Sequence, residues 1–272
     1  MSLIILLSLL ATYATAQCTF ESDFSSSSGW TQVGSGVSIN NGNLEFVNAS
    51  GGQQRRVYQS LATPLTGNDT WRIELDFTPT ALGTWSGQPA AGHYLVALST
   101  GTNDPLTDCP NVACSGYPAG TQDGVMVNFL NPVPPDGNVN FQILHKQGST
   151  ELTSGVIPFL GNNTTYYVTF ERLGPNDYQL SVFSNGGRTN HLPGSPVALN
   201  VPGAVTGLST IHHGVITRGN SLREMSGSIG GVCVTANPPI VIKELPAFPK
   251  TYLVLFGVLM MGAIGFLLRK QF

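Results

Sequence analysis

Two carboxylates lie close together in the stretch WRIELDFTPT, which runs from Trp71 to Thr80. Glu74 and Asp76 are two residues apart in a run rich in strand-forming residues, and residues at that spacing point to the same face of a strand. Two carboxyl groups on one face of a sheet can serve as the acid/base pair of a glycoside hydrolase. The same spacing also occurs on the solvated face of an ordinary strand, so both interpretations stand at this point.

A second candidate site lies in the segment GTNDPLTDCPNVACSGYPAGTQDG, residues 101–124. It carries Asp104, Asp108 and Asp123, and hard oxygen ligands on a loop suit Ca²⁺. Their spacing follows no known Ca²⁺ loop, so a surface loop with Asp and Asn in its turns is the competing interpretation. No cofactor follows firmly from the sequence, and Ca²⁺ is the candidate.

Aromatic residues in predicted loops are further candidate ligand contacts. Trp85, Tyr117 and Asp123 form the candidate ligand-binding set, because exposed aromatic rings stack on sugar faces, although such rings also cap sheet edges. His212 and His213 are adjacent in a predicted strand and therefore point to opposite faces. They cannot readily chelate one metal ion, so a structural or surface role is expected for them.

Several classes of function are disfavoured by the sequence. It contains no G-x-S-x-G nucleophile elbow, no HExxH zinc motif and no Gly-rich phosphate loop followed by a helix. The formal net charge is −3, whereas a nucleic-acid partner requires a basic face. Only 10% of the residues are charged, and there are 32 Gly and 18 Pro. This composition is typical of an extracellular β protein rich in turns.

Apolar runs alternate with turn residues from Cys18 to Val234. Two hairpins are predicted, one turning at Asn41-Gly42 and one at the GPND sequence that ends at Asp177. No run with helical spacing precedes residue 250, and about ten to thirteen strands without helices predict an all-β sandwich or barrel. The candidate strands are VSINNGNLEFV, RRVYQSL, WRIELDF, HYLVALST, GVMVNFL, VNFQILHK, YYVTFERL, YQLSVFSN, LSTIHHGVI and GSIGGVCV.

Both ends of the chain read as targeting segments. The apolar residues 1–16 end in Ala-Thr-Ala, which predicts a signal peptide. Residues 251–268 carry no charge and are long enough to span a bilayer, and the basic pair that follows them predicts a cytoplasmic end. The sequence thus predicts an exported, single-pass membrane protein at the cell surface with its N-terminal part outside. Its segments are a signal peptide (1–16), a β domain (17–234), a Pro-rich linker (235–250), a membrane helix (251–268) and a cytoplasmic tail (269–272).

Four cysteines fit an exported protein. Cys109 and Cys114 enclose PNVA and could close a small loop, which would leave Cys18 and Cys233 at the two ends of the β domain. Four cysteines allow three pairings, so the connectivity stays open. The C-x₄-C spacing without a nearby second pair disfavours zinc. Sequons that would carry N-glycans in a eukaryotic host begin at Asn48, Asn68, Asn162 and Asn163.

The opening TFESDFSSSSGW, the hairpin YYVTFERLGPNDYQLSVFSN and the closing LREMSGSIGGVCV resemble the concanavalin A-like, or laminin G-like, jelly-roll superfamily. The resemblance covers about residues 19–234. It implies two curved antiparallel sheets packed back to back, an all-β jelly-roll sandwich. Lectins, pentraxins, adhesion modules and glycoside hydrolases of the laminarinase group share this fold, so the fold does not fix an activity.

The C-terminal tail resembles bacterial sorting signals, which combine a short Pro-containing motif, an apolar helix and terminal basic residues. Leu245-Pro246, residues 251–268, and Arg269 with Lys270 would be those parts. The basic cluster is short and two more residues follow it. A type I membrane anchor therefore accounts for the tail equally well.

The laminarinase-like hydrolases carry an E-x-D-x-x-E motif on one strand, in which the two glutamates are the nucleophile and the acid/base. Glu74 and Asp76 match its first two positions. The third position falls on Pro79, or on Thr78 in a variant one residue shorter, and neither side chain can exchange the catalytic proton. The comparison favours a strand with its apolar residues toward the core and both carboxylates outward.

The leading functional prediction is recognition of a carbohydrate, matrix or cell-surface ligand by loops at the rim of the sandwich, without catalysis. A structural surface protein with no specific small ligand is the first alternative. A glycosidase that assembles its carboxylates from separate strands is the second. The missing acid on the Glu74 strand disfavours the last alternative.

Overall fold

Alternating apolar and polar residues form strands throughout the part of the chain that the computed structural model describes. This part comprises residues 17–46, 54–82, 92–102, 123–130, 140–158, 161–216 and 225–237, and it contains fifteen strands and no helix. The first eight strands are β1 (Phe20–Ser22), β2 (Thr31–Val33), β3 (Val37–Asn40), β4 (Asn43–Phe46), β5 (Gln54–Leu65), β6 (Trp71–Leu82), β7 (Gly92–Ser99) and β8 (Gly124–Leu130). The others are β9 (Asn140–Gln147), β10 (Thr150–Pro158), β11 (Tyr166–Arg172), β12 (Asp177–Phe183), β13 (Val197–Asn200), β14 (Leu208–Ile216) and β15 (Met225–Ala236).

The strands form two antiparallel sheets. The eight-stranded sheet has the order β13-β12-β11-β6-β15-β4-β3, with β1 paired to β15 beside β4. The seven-stranded sheet has the order β10-β9-β8-β7-β14-β5-β2. Several neighbours in these orders, such as β6 with β15 and β7 with β14, are far apart in the sequence, and the chain passes repeatedly from one sheet to the other, as in a jelly roll.

The hydrophobic core lies between the two sheets. Along β6, Trp71, Ile73, Leu75 and Phe77 are each at most 1% exposed, because a strand presents every second residue to the same face. The ring of Phe141 on β9 of the other sheet lies 6.4 Å from that of Phe77, edge to face. This alternation confirms the predicted orientation of the β6 strand.

Two predicted hairpins are present. Asn41 and Gly42 have φ angles of +50° and +80° and join β3 to β4. Positive φ at both central residues is the requirement of a type I′ turn, which Asn-Gly meets at low cost. The GPND sequence joins β11 to β12.

A disulfide between Cys18 and Cys233 ties the first segment of the domain to its last strand. Glu21 on β1 stands opposite Cys233 on β15, and the backbone N–H of Thr19 donates to the carbonyl of Val234 at 2.7 Å. The predicted partner pair, Cys109 and Cys114, lies outside the described residues.

The strand pattern was predicted in part. Each predicted run contains a strand, but β1, β2, β10 and β13 were missed, so the expected ten to thirteen strands fall short of the fifteen observed. β2, β10 and β13 are edge strands, and β10 (TELTSGVIP) has exposed residues on both sides of a bulge between Thr153 and Val156. Edge strands that are short or bulged carry little of the alternation that identifies a strand.

The chain divides into two compact units, Met1–Pro238 and Pro239–Phe272. All the strands belong to the first unit, and β15 continues to Ala236, two residues into the segment predicted as a linker. No helix long and apolar enough to cross a bilayer occurs among the residues that the structure describes. The predicted signal peptide, residues 1–16, and membrane helix, residues 251–268, lie outside those residues.

Candidate ligand-binding face

The two carboxylates of β6 lie on the outer face of the eight-stranded sheet, where both are partly exposed. The Arg188 guanidinium contacts both of them, with Nη2 3.2 Å from Asp76 Oδ1 and Nε 3.9 Å from Glu74 Oε1. The guanidinium also lies 5.7 Å from the centre of the Tyr167 ring. Burial raises the pKa of Asp76, and the charge and hydrogen bond of Arg188 oppose that rise. The pair is therefore held in a small ion-pair network.

Neither residue at the third position of the hydrolase motif supplies an acid. Thr78 Oγ1 is hydrogen-bonded to Thr165 Oγ1 on the neighbouring chain segment at 2.8 Å, and Pro79 is buried. Arg188 reaches the carboxylates from the turn after β12, where its own φ is +50°. Asn185 organises that turn, since its side-chain oxygen accepts from the backbone N–H groups of Thr189 and Asn190.

Most of the predicted ligand residues fall in parts of the chain outside the described ranges. These are Trp85, Tyr117, Asp104, Asp108 and the sequon residue Asn48. Asp123 is described and is half-buried, and its Oδ1 accepts from the backbone N–H of Gly148 at 2.7 Å. In the described part of the chain, no group of three or more His, Cys, Asp or Glu residues is placed to hold a metal ion. The Ca²⁺ site thus stays a prediction.

The other sequons lie in exposed turns. Asn68 follows β5, and Asn162 and Asn163 precede β11. Their exposure is compatible with glycans, and their use stays a prediction.

His212 and His213 point to opposite faces of β14, and both are fully buried. Arg56 Nη1 donates to His212 Nδ1 at 3.1 Å, so His212 carries its proton on Nε2, which lies 2.7 Å from Ser99 Oγ. Burial and the Arg56 charge lower the pKa of His212 to about 3. On the core side, His213 Nδ1 donates to the Leu95 carbonyl, and burial lowers its pKa to about 4. Both rings are therefore neutral structural groups at neutral pH.

The outer face of the seven-stranded sheet carries an unusual set of buried side chains. Leu98, Val125 and Ile143 belong to the hydrophobic core, whereas their chain neighbours Ala97, Met126 and Leu144 are each 0% exposed but lie outside that core cluster. Since neighbouring residues of a strand face opposite ways, these three form an apolar row on the face away from the core. The register places them side by side on β7, β8 and β9.

Two polar rows flank this apolar row. The strand register aligns their members across the sheet, and several of the side chains are buried. The amide row contains Arg56, Gly214, Asn128 and Gln142, and the hydroxyl row contains Ser60, Thr210, Ser99, Lys146 and Glu151. An apolar strip between two polar strips gives the face an amphipathic character.

Tyr58 closes one end of the apolar row. It stands opposite His212 in the register, with the two ring centres 5.7 Å apart, and is only half-buried. The Arg56 guanidinium stacks over the Tyr58 ring at 4.8 Å from its centre and also donates to the Thr102 carbonyl at 2.9 Å. These contacts fix the orientation of the ring, so Tyr58 is a rigid aromatic platform at the edge of the face.

One side chain of the amide row is buried without a hydrogen-bond partner. Asn128 is 0% exposed, and neither its Nδ2 nor its Oδ1 has a hydrogen-bond partner. Its register neighbour Gln142 donates from Nε2 to the Ser154 carbonyl at 2.9 Å. A buried amide without partners costs about 1–3 kcal/mol, and native proteins rarely keep such a group without a role.

The far end of the hydroxyl row is charged. Glu151 on β10 stands opposite Lys146 on β9, which is 3% exposed. Burial raises the pKa of Glu151, and the charge of Lys146 opposes the rise. This end of the face therefore carries an acidic and a basic side chain next to each other.

None of the residues of the apolar, amide and hydroxyl rows was singled out from the sequence. Asn128 occurs in GVMVNFL, and Gln142 and Lys146 occur in FQILHK, both of which read as continuous apolar runs with a few polar interruptions. A strand buried on both faces loses its alternation, so the period does not separate core-facing from outward-facing residues. A polar residue inside such an apolar run was the one sequence feature that could have indicated this face.

No protein-family model matches the sequence, and no curated protein matches it. Solved structures do match. The peanut lectin bound to a nine-residue peptide is 16% identical, with a TM-score of 0.53 over 80% of this chain and 96% of that chain. The CBM2 module of the evolved Dit protein of Lactobacillus casei BL23 phage J-1 is 8% identical, with a TM-score of 0.52 over 81% and 96%.

A second plant lectin gives a similar result. The metal-free lectin I-B4 from Griffonia simplicifolia is 10% identical, with a TM-score of 0.50 over 80% of this chain and 99% of that chain. Identities this low carry information about fold and not about ligand. Together with the two antiparallel sheets described above, these matches show that the described strands of this chain form a concanavalin A-like jelly-roll fold.

Proposed function

We propose that the chain recognises carbohydrate through the outer face of the seven-stranded sheet, without covalent chemistry. The observation that carries the proposal is the Asn128 amide, which is fully buried on a face away from the core and has no hydrogen-bond partner. Ligand hydroxyl groups can both donate to and accept from a side-chain amide. Ligand binding would thus satisfy a group that costs free energy in the unliganded protein.

The rest of the face supports the same ligand class. A pyranose ring has an apolar face of C–H groups and a rim of hydroxyl groups. The apolar row of Ala97, Met126 and Leu144 suits the first, and the flanking amide and hydroxyl rows suit the second. Tyr58 adds an aromatic ring at the half-exposed end. The fold likeness to two plant lectins supports the proposal at the level of fold.

The burial of Asn128 affects the rate at which a ligand can bind. Asn128 is shielded from solvent in the unliganded protein, so a ligand reaches it only when the protein rearranges. Association that requires a conformational change is slower than the usual range of about 10⁵–10⁷ M⁻¹s⁻¹. We therefore expect slow association together with slow dissociation.

The proposal includes an extracellular setting. A signal peptide over residues 1–16 and an anchor over residues 251–268 would display the β domain at the cell surface, and the Cys18–Cys233 disulfide is compatible with an oxidising compartment. Ca²⁺ bound by Asp104, Asp108 and Asp123 would add a second source of affinity. Protease treatment of intact cells would release the β domain if it lies outside.

The test is a glycan-array screen of the full chain in mild detergent, with Ca²⁺ and then with EDTA. We expect selective binding to a small set of glycans. Binding that EDTA abolishes would assign part of the affinity to Ca²⁺, and binding that survives EDTA would assign it to the protein side chains alone. The absence of binding to any glycan, from a sample shown to be folded, would contradict the proposal and favour a structural or protein-binding surface role.

A separate assay tests the glycosidase alternative. The same sample is incubated with β-1,3-glucan, and reducing ends are measured for the wild type and for Glu74→Gln. We expect no turnover by either protein, because both β6 carboxylates form ion pairs with Arg188 and the third motif position is not an acid. Turnover by the wild type that Glu74→Gln abolishes would overturn the non-catalytic part of the proposal.

A further inference from the structure

A cleft lies at the edge of the sandwich, away from the residues of the proposed carbohydrate face. It encloses about 460 Å³ and is lined by Glu21, Asp23, serines of the run 22–28, Trp30 and Gln59. A volume in this range accommodates a small ligand. The cleft is formed by the segment that leaves β1 of one sheet and enters β2 of the other.

The serine-rich wall of the cleft is ordered by its own side chains. Ser22 Oγ accepts from the backbone N–H of Phe24 at 3.3 Å, Asp23 Oδ1 accepts from Ser25 at 2.9 Å, and Ser26 Oγ accepts from Ser28 at 3.1 Å. Three successive side-chain-to-backbone turns of this kind fix the path of the chain. The Ser22 and Ser26 oxygens accept in these turns, so their O–H groups remain available as donors.

Trp30 anchors the floor of the cleft. Its ring packs against Phe24 and His213 at centre distances of 5.4 and 5.5 Å, and its Nε1–H donates to Ser22 Oγ at 3.2 Å. The ring is only partly buried and lines the cleft. Gly29 has a φ of +84°, and a Cβ there would lie 2.6 Å from the amide of Gln59, so the glycine allows Gln59 to close the opposite wall.

The described lining of the cleft carries negative charge. Glu21 and Asp23 are both exposed, and the lining residues that the structure describes include no Lys, Arg or His. Hydrogen bonds from the side chain and backbone of Ser25 lower the pKa of Asp23, so this carboxylate is ionised at neutral pH. An anionic ligand would be repelled, whereas a cation would meet two carboxylates beside an aromatic ring.

We propose that this cleft binds a protonated amine that also carries hydroxyl groups, of which an amino sugar is the simplest form. Glu21 and Asp23 pair with the ammonium group, the serine hydroxyls and the Gln59 amide bond the hydroxyl groups, and Trp30 contacts an apolar face of the ligand. The cleft shares no residue with the face that contains Asn128. The inference therefore stands independently of the proposed carbohydrate face.

The test compares D-glucosamine, with its amine protonated, with N-acetylglucosamine and glucose by isothermal titration calorimetry on the full chain. The three sugars share the ring and most hydroxyl groups and differ in the charge at one position. Two exposed ion pairs are each worth about 0.2–1 kcal/mol, so we expect glucosamine to bind roughly 2- to 30-fold more tightly than either neutral sugar. Binding should weaken as salt rises.

Two double variants test whether glucosamine binds in this cleft. Glu21→Gln with Asp23→Asn removes both charges while keeping the side-chain shapes, and Asn at position 23 can still accept from Ser25. Glu45→Gln with Asp177→Asn removes two carboxylates elsewhere and is the matched control. We expect the cleft variant to lose the preference for glucosamine, and the control and Asn128→Leu to retain it.

Equal binding of glucosamine and N-acetylglucosamine, or no binding of glucosamine to a folded wild-type chain, would overturn the inference. A glucosamine preference that survives in the cleft variant and disappears in Asn128→Leu would also overturn it, while leaving the proposed carbohydrate face in place.

Discussion

Arg188 and Asp76 form an ion pair on the outer face of the eight-stranded sheet, with Nη2 and Oδ1 3.2 Å apart. The same guanidinium lies 3.9 Å from the carboxylate of Glu74. The two acids that suggested a hydrolase thus share one cation. Their spacing reflects a half-exposed polar face of β6 opposite the buried face of Ile73 and Leu75.

This ion pair can be tested through the ionisation of Asp76. Burial raises the pKa of Asp76, and Arg188 opposes that rise. Arg188→Gln should therefore raise the pKa of Asp76 further, which a carboxyl-carbon NMR titration measures. Arg72→Gln, which removes the partner of Glu171, is the control and should leave Asp76 unchanged. An unaltered Asp76 titration in Arg188→Gln would show that the pair is not formed in solution.

The buried histidines predict an acid-sensitive fold. The pKa of His213 falls from 6.5 to about 4 in the folded protein, so the unfolded chain binds one more proton between these pH values. The free energy of unfolding must then decrease as the pH falls from 6.5 to 4, by about 3 kcal/mol for this residue alone. His212, with its pKa lowered to about 3, adds to the decrease.

Urea unfolding at a series of pH values measures this dependence. His213→Leu should remove roughly 3 kcal/mol of the fall, because leucine has no proton to gain. His191→Leu, which replaces an exposed histidine, should leave the slope unchanged. A wild-type stability that stays flat between pH 6.5 and 4 would contradict the burial of these rings.

Arg172 holds two turns together at one end of the eight-stranded sheet. It is 1% exposed and donates to the carbonyls of Thr66, Gly67, Gly174 and Pro175. Arg172→Met removes the guanidinium donor from all four carbonyls, although those of Thr66 and Gly174 also accept from the backbone N–H groups of Asp69 and Asp177. The expected loss is about 3 kcal/mol or more in the free energy of unfolding.

The matched control for Arg172 is Arg72→Met, which breaks one half-exposed ion pair with Glu171. That change should cost less than about 1 kcal/mol. Equal effects of the two substitutions in urea unfolding would show that Arg172 does not clamp the turns.

The Cys18–Cys233 disulfide closes a loop with a sequence separation of 215 residues. Replacing both cysteines by serine should lower the free energy of unfolding by about 3–5 kcal/mol, because the unfolded chain regains its freedom. Chemical denaturation of the double variant and the wild type under oxidising conditions measures the difference. A loss below about 1 kcal/mol would mean that the hydrogen bonds of β1 alone hold the first segment.

The sequence predicted the parts of the fold that rest on local chemistry. The period of two along β6, the Asn41-Gly42 turn and the GPND hairpin each depend on residues adjacent in the chain, and all three are present. The edge strands β2, β10 and β13 were missed because two of them are only three or four residues long and the third is bulged, so they carry little of the alternation that marks a strand.

The candidate site was harder to predict for a related reason. Asn128 and Gln142 become neighbours only through the register of β8 with β9, and Arg56 joins them through β14 and β7. Their strands are buried on both faces, so hydrophobicity does not mark which residues point away from the core. The sequence instead pointed to loop residues such as Trp85 and Tyr117, chosen for their type and not for a shared position.

Asn128→Leu tests the central claim most directly, with binding and stability measured on the same protein. If the unpartnered amide is kept for a ligand, leucine should abolish binding of the best glycan from the array. It should also raise the free energy of unfolding by about 1–3 kcal/mol, because a buried unsatisfied amide is removed. Thr169→Val, at a buried polar position on the outer face of the other sheet, should leave glycan binding unchanged. Glycan affinity that is the same in Asn128→Leu as in the wild type would contradict recognition through this face.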